Sequence, residues 1–322
     1  MVLANPIFSA AVYKCVDHYG GSHGKLGTAL DHHLYVPGKA LRSNLLVGSA
    51  GVHAQFDHLV AAAAAIQLVH EASLLHDDLQ DNATKRRGQA SVASSFGGTV
   101  ALLAGDHLLA AAFRCLAESS IPILAKVQMI RLLALAVSSA SEGQLGQSQL
   151  DCHAGDVRQS YEKAVIGKTG ALMSLPLQFS LTLREEHEDA VYAARNAGQM
   201  LGLAYQILND LRPLRSARSW IESSDYSQQV ITAPIVEVVE LTASRQPHSA
   251  LEMSSELRQQ AAESCRFWIR RAIAQSQSSW LALPTDAAEF LQLFVEQHID
   301  DTSHCVAQKA EANCGKPRQV RR

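Results

Sequence analysis

The chain has 322 residues, is 47% hydrophobic and carries a formal net charge of −3. That length supports one large core or two small ones. The near-neutral charge argues against nucleic acid or an acidic membrane surface as partner, and no apolar run approaches the roughly 20 residues of a membrane-spanning helix.

The first twenty residues lack the basic stretch and cleavage site of a secretory signal. Six cysteines, at positions 15, 115, 152, 265, 305 and 314, show no CxxC spacing. This pattern suits reduced thiols in a cytoplasmic protein better than a disulfide framework or a zinc site. Ala, Leu, Gln, Glu and Arg dominate, and the apolar periodicity is helical throughout. In chain order it predicts helices over about 55–76, 100–117, 123–141, 156–183, 186–210 and 251–277, with a shorter one near 286. No stretch alternates as a strand does, and no internal repeat or composition break divides the chain. The fold class is therefore all-α, one helical domain over residues 1–306 followed by a polar, basic tail, 307–322. Residues 212–232 are polar and irregular, as a loop over a site is.

The sharpest local signal is LVHEASLLHDDLQD, residues 68–81. Helical spacing puts Asp77, Asp78 and Asp81 on one face, with no base between them. Crowded carboxylates repel, and the C-terminal end of a helix is the wrong end for negative charge. An offsetting cation is the better reading than a solvated acidic helix end. Oxygen-only ligands suit Mg²⁺, which keeps several waters and shares its shell with phosphates. Arg86, Arg87 and Gly88 follow at once, and guanidinium forks fit phosphate oxygens. Lys39 and Arg42 form an earlier cationic pair in GKALR, weak by itself.

DDxxD followed by RRG, preceded by GKxxR and a helix bearing His70, resembles the trans-prenyltransferase (polyprenyl synthetase) family, which includes the geranylgeranyl diphosphate synthases. Further matches follow in order: Gly105-Asp106 opening a helix, a Gly-Gln element over 143–151, Lys168-Thr169-Gly170, and Tyr205-Gln206-Ile207. The resemblance covers roughly residues 35–235. It implies a single-domain isoprenoid-synthase bundle around a central cavity, acting on prenyl diphosphates as a homodimer. It further implies Mg²⁺ at Asp77, Asp78 and Asp81 holding an allylic diphosphate that Arg86 also contacts. Isopentenyl diphosphate would meet Lys39, Arg42, His70 and Arg87, while Lys168, Thr169 and Gln206 would line the reacting end. The family limits product length with bulky residues four and five places before the first aspartate. Here these are Ser73 and Ala72, both small, which favours products of C20 or longer.

The chain departs from the family where a second aspartate-rich motif is expected. It reads Asn209-Asp210-Leu211-Arg212-Pro213, so metal ligation there falls to Asn209 and Asp210. The lysine-bearing segment that follows in the family appears as residues 224–229, without lysine. Arg212, Arg215 and Arg218 are candidate substitutes for the missing cationic charge, or simply a solvated basic loop. Three functions remain compatible: head-to-tail condensation, prenyl transfer to another acceptor or cyclisation, and a non-catalytic partner subunit.

Overall fold

The structure, a computed structural model, describes residues 6–35, 40–51, 54–152, 155–242 and 246–299, excepting the side chains of 224, 225 and 253. Lys39 and the basic tail lie outside the described residues. Apart from one two-residue strand pair, the described elements are helical, as the composition predicts. They are α1 (Pro6–Gly20), α2 (Gly24–Leu34), α3 (Leu41–Ala50), α4 (Phe56–Gln80), α5 (Val92–Phe96), α6 (Gly98–Glu118), α7 (Ile123–Ser148), α8 (Val157–Val165) and α9 (Ala171–Leu183). After these come α10 (Glu188–Asp210), α11 (Ala217–Ile221), α12 (Ser224–Ser227), α13 (Ala233–Thr242), α14 (Pro247–Met253), α15 (Ser255–Trp280) and α16 (Thr285–His298).

Helix boundaries follow local chemistry. Asp156 caps α8 by accepting from the Gln159 N–H, and Ser254 caps α15 by accepting from Leu257. Glu188 and Asp189 place negative charge at the positive end of α10. Asn82, at φ 50°, turns the chain left-handed and ends α4. The predicted 156–183 helix is in effect continuous, but its middle, Ile166–Gly170, widens into a π-helical turn. The predicted 123–141 helix runs on to Ser148 and carries the Gly-Gln element inside it. One placement is corrected: Gly105-Asp106 does not open a helix but sits mid-way along α6. A Cβ there would lie 2.1 Å from the His76 ring, so a larger residue would force that partly exposed ring to move.

Two apolar clusters make most of the core, beside a smaller third around Trp220, Ile235, Val238 and Leu251. One joins α1, α4, α6, α7 and α9 through Leu68, Leu75, Leu108, Leu133 and Phe179. The other joins α8, α9, α10, α15 and α16 through Tyr161, Leu177, Leu201, Trp268 and Leu291. The expectation about apolar runs also needs correction. Three helices, α4, α6 and α7, are long and apolar enough by length and composition to cross a bilayer. Scattered polar residues interrupt their runs in the sequence without cancelling the helix-wide average. For α4 the reason is burial, since 72% of its apolar window lies inside the fold; for α7 only 17% does. The outer faces of α6 and α7 thus expose Leu103, Leu124, Val127 and Leu135.

Candidate active site

A cavity of about 1110 Å³ lies between α4, α6, α7, α9 and α10. It gathers Arg42, His70, Asp77, Asp81, Arg86, Arg87, Lys168, Thr169, Gln206 and Asn209, residues scattered over 168 positions of sequence. Two predicted site residues, Asp78 and Asp210, are buried rather than lining it. Ser73 lines the cavity, whereas Ala72 turns into the core.

The acidic end of α4 is answered by bases on two sides. Beyond α4 the chain makes a tight hairpin, β1 (Lys85–Arg86) and β2 (Gln89–Ala90), in which Arg86 pairs with Gln89. Its two turn residues, Arg87 and Gly88, have φ of 51° and 83°. A two-residue turn with both φ positive is what a twisted hairpin needs, and glycine adopts it without strain. The hairpin folds the adjacent arginines back onto α4. Arg86 grips Asp78 through Nε, at 2.9 Å, and Nη2. Burial works to lower the Arg86 pKa, but the bond to Asp78 outweighs it and the guanidinium is held above its ordinary value. Arg87 donates to Glu71 Oε1 at 2.8 Å. On the other side, Lys168 Nζ lies 3.3 Å from Asp77 Oδ2. Asp81 is solvent-exposed at the cavity mouth, yet partial desolvation, with Asp77 and Asp78 adding to it and Lys168 opposing, raises its pKa above the ordinary carboxylate value.

Glu71 escaped the sequence reading. It is 2% exposed; its Oε1 accepts from Arg87 and Gln67, while His33 Nε2 lies 2.9 Å from Oε2 and 3.2 Å from the Glu71 main-chain carbonyl. Burial alone would raise its pKa, but the hydrogen bonds from His33 and Arg87 prevail and hold it at about 2. The available signal is a single acid within the mostly apolar residues 59–75, where Gln67, His70 and Ser73 are the other polar side chains. Above it, burial and then the neighbouring Arg42 push His70 well below the usual imidazole pKa, so the ring is neutral at pH 7. Arg42 itself is buried and pushed down to about 10, still a cation at neutral pH. His70 Nδ1 and Arg42 Nε find no partner among the described residues. Buried donors and cations left in this state suit an anion arriving from the cavity.

The wall opposite α4 is built by close backbone approach. The π-helical turn presents Lys168 and Thr169, an arrangement common at functional sites. A Cβ at Gly143 of α7 would stand 2.3 Å from the Lys168 nitrogen, and one at Gly202 of α10 2.5 Å from the Gly170 Cα. Only glycine lets these backbones meet. Thr169 Oγ1 donates to Gln206 Oε1 at 3.2 Å, and Gln206 Nε2 donates to Asp210 Oδ1 at 2.7 Å. Asp210 Oδ2 accepts from Tyr161 OH at 2.6 Å and from the Ala233 N–H at 2.9 Å. The polar 212–232 segment breaks into short turns and helices, and Gln228 Nε2 reaches the Asp81 carbonyl at 3.0 Å. Arg212, Arg215 and Arg218 are exposed and contribute nothing to the cavity lining.

Among the described residues, no three His, Cys, Asp or Glu side chains converge as a ready-made metal cage. The α4 end nonetheless fits a hydrated divalent cation. Asp78 Oδ2 is buried without a partner, and two more carboxylates face the cavity beside it.

Residues 23–268 match the protein-family model described as Polyprenyl synthetase. A relative from Methanocaldococcus jannaschii, described as a short chain isoprenyl diphosphate synthase, is 30% identical over 61% of this chain and 60% of its own length. The chain spans about three fifths of the length of the curated relatives it matches. In structure it resembles a geranylgeranyl pyrophosphate synthetase from Geoglobus acetivorans, with a TM-score of 0.78 and 24% identity, over 92% of this chain and 99% of that one. It also resembles a polyprenyl synthase from Caulobacter crescentus complexed with calcium and isoprenyl diphosphate, with a TM-score of 0.77 and 23% identity, over 91% and 94% of the two chains. At these identities the structural likeness establishes the fold.

Proposed function

The chain belongs to the polyprenyl synthetase family, and from that premise we propose that it is a prenyltransferase condensing an allylic prenyl diphosphate with isopentenyl diphosphate. The observation that carries this reading is the pairing of two patches on one cavity: Asp77 and Asp81, which suit a divalent cation, beside the bases Arg86 and Lys168 on one side, and Arg42, His70 and Arg87, which suit an anion, on the other. Asp77, Asp78 and Asp81 would hold Mg²⁺, which would supply charge to the departing diphosphate. Arg86 and Lys168 stand where they would bind that diphosphate's oxygens and stabilise the charge developing on it. Thr169 and Gln206, tied to each other, orient the wall beside the reacting carbon. Arg42 and Arg87 would hold the isopentenyl diphosphate, with neutral His70 donating a hydrogen bond rather than charge. The double bond would then attack the allylic carbon as diphosphate departs, and the released diphosphate would take the proton.

A product of C20 or longer is favoured by Ser73, whose short side chain leaves the α4 wall open below Asp77. The exposed apolar face of α6 and α7 suits a second copy of the chain, giving a homodimer. Purified protein given Mg²⁺, farnesyl diphosphate and labelled isopentenyl diphosphate should form a longer labelled diphosphate. Hydrocarbon or alcohol from farnesyl diphosphate alone would instead indicate cyclisation or hydrolysis. No turnover of either substrate, with altered output from a co-purified synthase, would indicate a partner subunit.

A further inference from the structure

We propose that a divalent cation here is bound directly from one wall only, by the α4 carboxylates. The opposite wall would reach it through water on the Asn209 amide, with Asp210 serving as a structural brace. This rests on the reading of the cavity as a metal–diphosphate site.

The lone carboxylate left at the end of α10 is fully engaged elsewhere. Asp210 is 6% exposed, and its two oxygens receive Gln206 Nε2, Tyr161 OH and the Ala233 N–H. These bonds join α8, α10 and the start of α13. Tyr161 is itself fully buried against Trp268, with ring centroids 5.3 Å apart. To ligate a metal, Asp210 would have to leave three good hydrogen bonds and abandon a buried phenol and a buried amide. Its neighbour Asn209 does line the cavity; its Oδ1 is buried with no partner among the described residues, so a turn of the amide would present it to a water in the cavity. A neutral amide oxygen is a poor rival to carboxylates for direct ligation but a good acceptor for water. Mg²⁺ sites keep several waters of their own. The cationic character of this wall comes from Lys168.

Mn²⁺ binding, read from the electron paramagnetic resonance signal at fixed inorganic diphosphate, tests the assignment without relying on turnover. Asn209→Asp, which restores a carboxylate, should tighten Mn²⁺ by about tenfold, and Asn209→Ala should weaken it by about tenfold, as loss of an outer hydrogen-bonding partner does. Tyr161→Phe should lower the unfolding temperature yet leave Mn²⁺ affinity within about twofold of the unaltered chain, well inside the tenfold effect of a true partner. Asp210→Asn, where it folds, should behave in the same way. A tenfold change in Mn²⁺ affinity in Tyr161→Phe or Asp210→Asn, or no change in either Asn209 variant, would overturn the one-wall assignment. If the unaltered chain takes up no Mn²⁺ beside diphosphate, the metal–diphosphate reading itself fails, and the assignment with it.

Discussion

In Arg87→Ala, Glu71 keeps His33 but loses the guanidinium 2.8 Å from its Oε1. The carboxylate is 2% exposed, so water does not replace the lost partner. Removing one member of a buried pair costs about 3–5 kcal/mol, and the remaining His33 and Gln67 bonds argue for the lower end. The depressed Glu71 pKa, which His33 and Arg87 produce together, gives the scale of the stabilisation that both partners share. A carboxyl held at about 2 against an ordinary 4.5 corresponds to ~3 kcal/mol at neutral pH. Because this pKa is depressed on folding, that stability is fully present above pH 4.5. It is lost as pH falls towards 2. Urea unfolding between pH 2 and 7, with Glu71→Gln as the reference that removes this titration, isolates the contribution. Arg87→Ala should be about 3 kcal/mol less stable at pH 7. Its further loss of stability with acid should be smaller and should end at higher pH, because the folded carboxyl climbs back towards its ordinary value. A pH 7 stability within about 0.5 kcal/mol of the unaltered chain, with the same acid dependence, would refute the reasoning.

Three further outcomes follow from the same geometry. Gly105→Ala places a Cβ 2.1 Å from the His76 ring, so calorimetry should register about 1–3 kcal/mol of destabilisation, with turnover reduced because His76 adjoins Asp77. Lys168→Ala removes the cation beside Asp77, and its rate of diphosphate release should fall by about 10²-fold or more, as when a stabiliser of developing charge is deleted. Arg212→Ala alters an exposed side chain away from the cavity, so diphosphate release should match that of the unaltered chain.

The sequence made the α4 end legible because three aspartates and two arginines fall within eleven positions, a spacing that packing alone does not favour. The same local logic revealed the helical class and most helix cores. What escaped depended on distance along the chain. Glu71 reads as one acid in an apolar run, and its meaning comes from His33 and Arg87, residues on α2 and on the hairpin. Asp210 reads as a metal ligand from its neighbours in sequence, and its hydrogen bond from Tyr161, 49 positions away, has no local trace. Gly105 was noticed as part of a pair, but its cause, the His76 ring on another helix, has no local trace. The apolar length of α7 was hidden by polar residues that interrupt its runs without changing the character of the helix.

The glycine contacts behind Lys168 set where this chain can be varied. Lys168 is positioned by main chain meeting main chain at Gly143, Gly170 and Gly202, so no exchange of neighbouring side chains can retune it by small steps. Any enlargement there displaces a helix. The wall formed by Ser73 and Leu74 of α4 and Leu102 and Leu109 of α6 is instead shaped by side chains, which can be exchanged one at a time. A mutant library aimed at new prenyl substrates would therefore find its tolerated diversity on α4 and α6, with the Lys168 wall held invariant as the template.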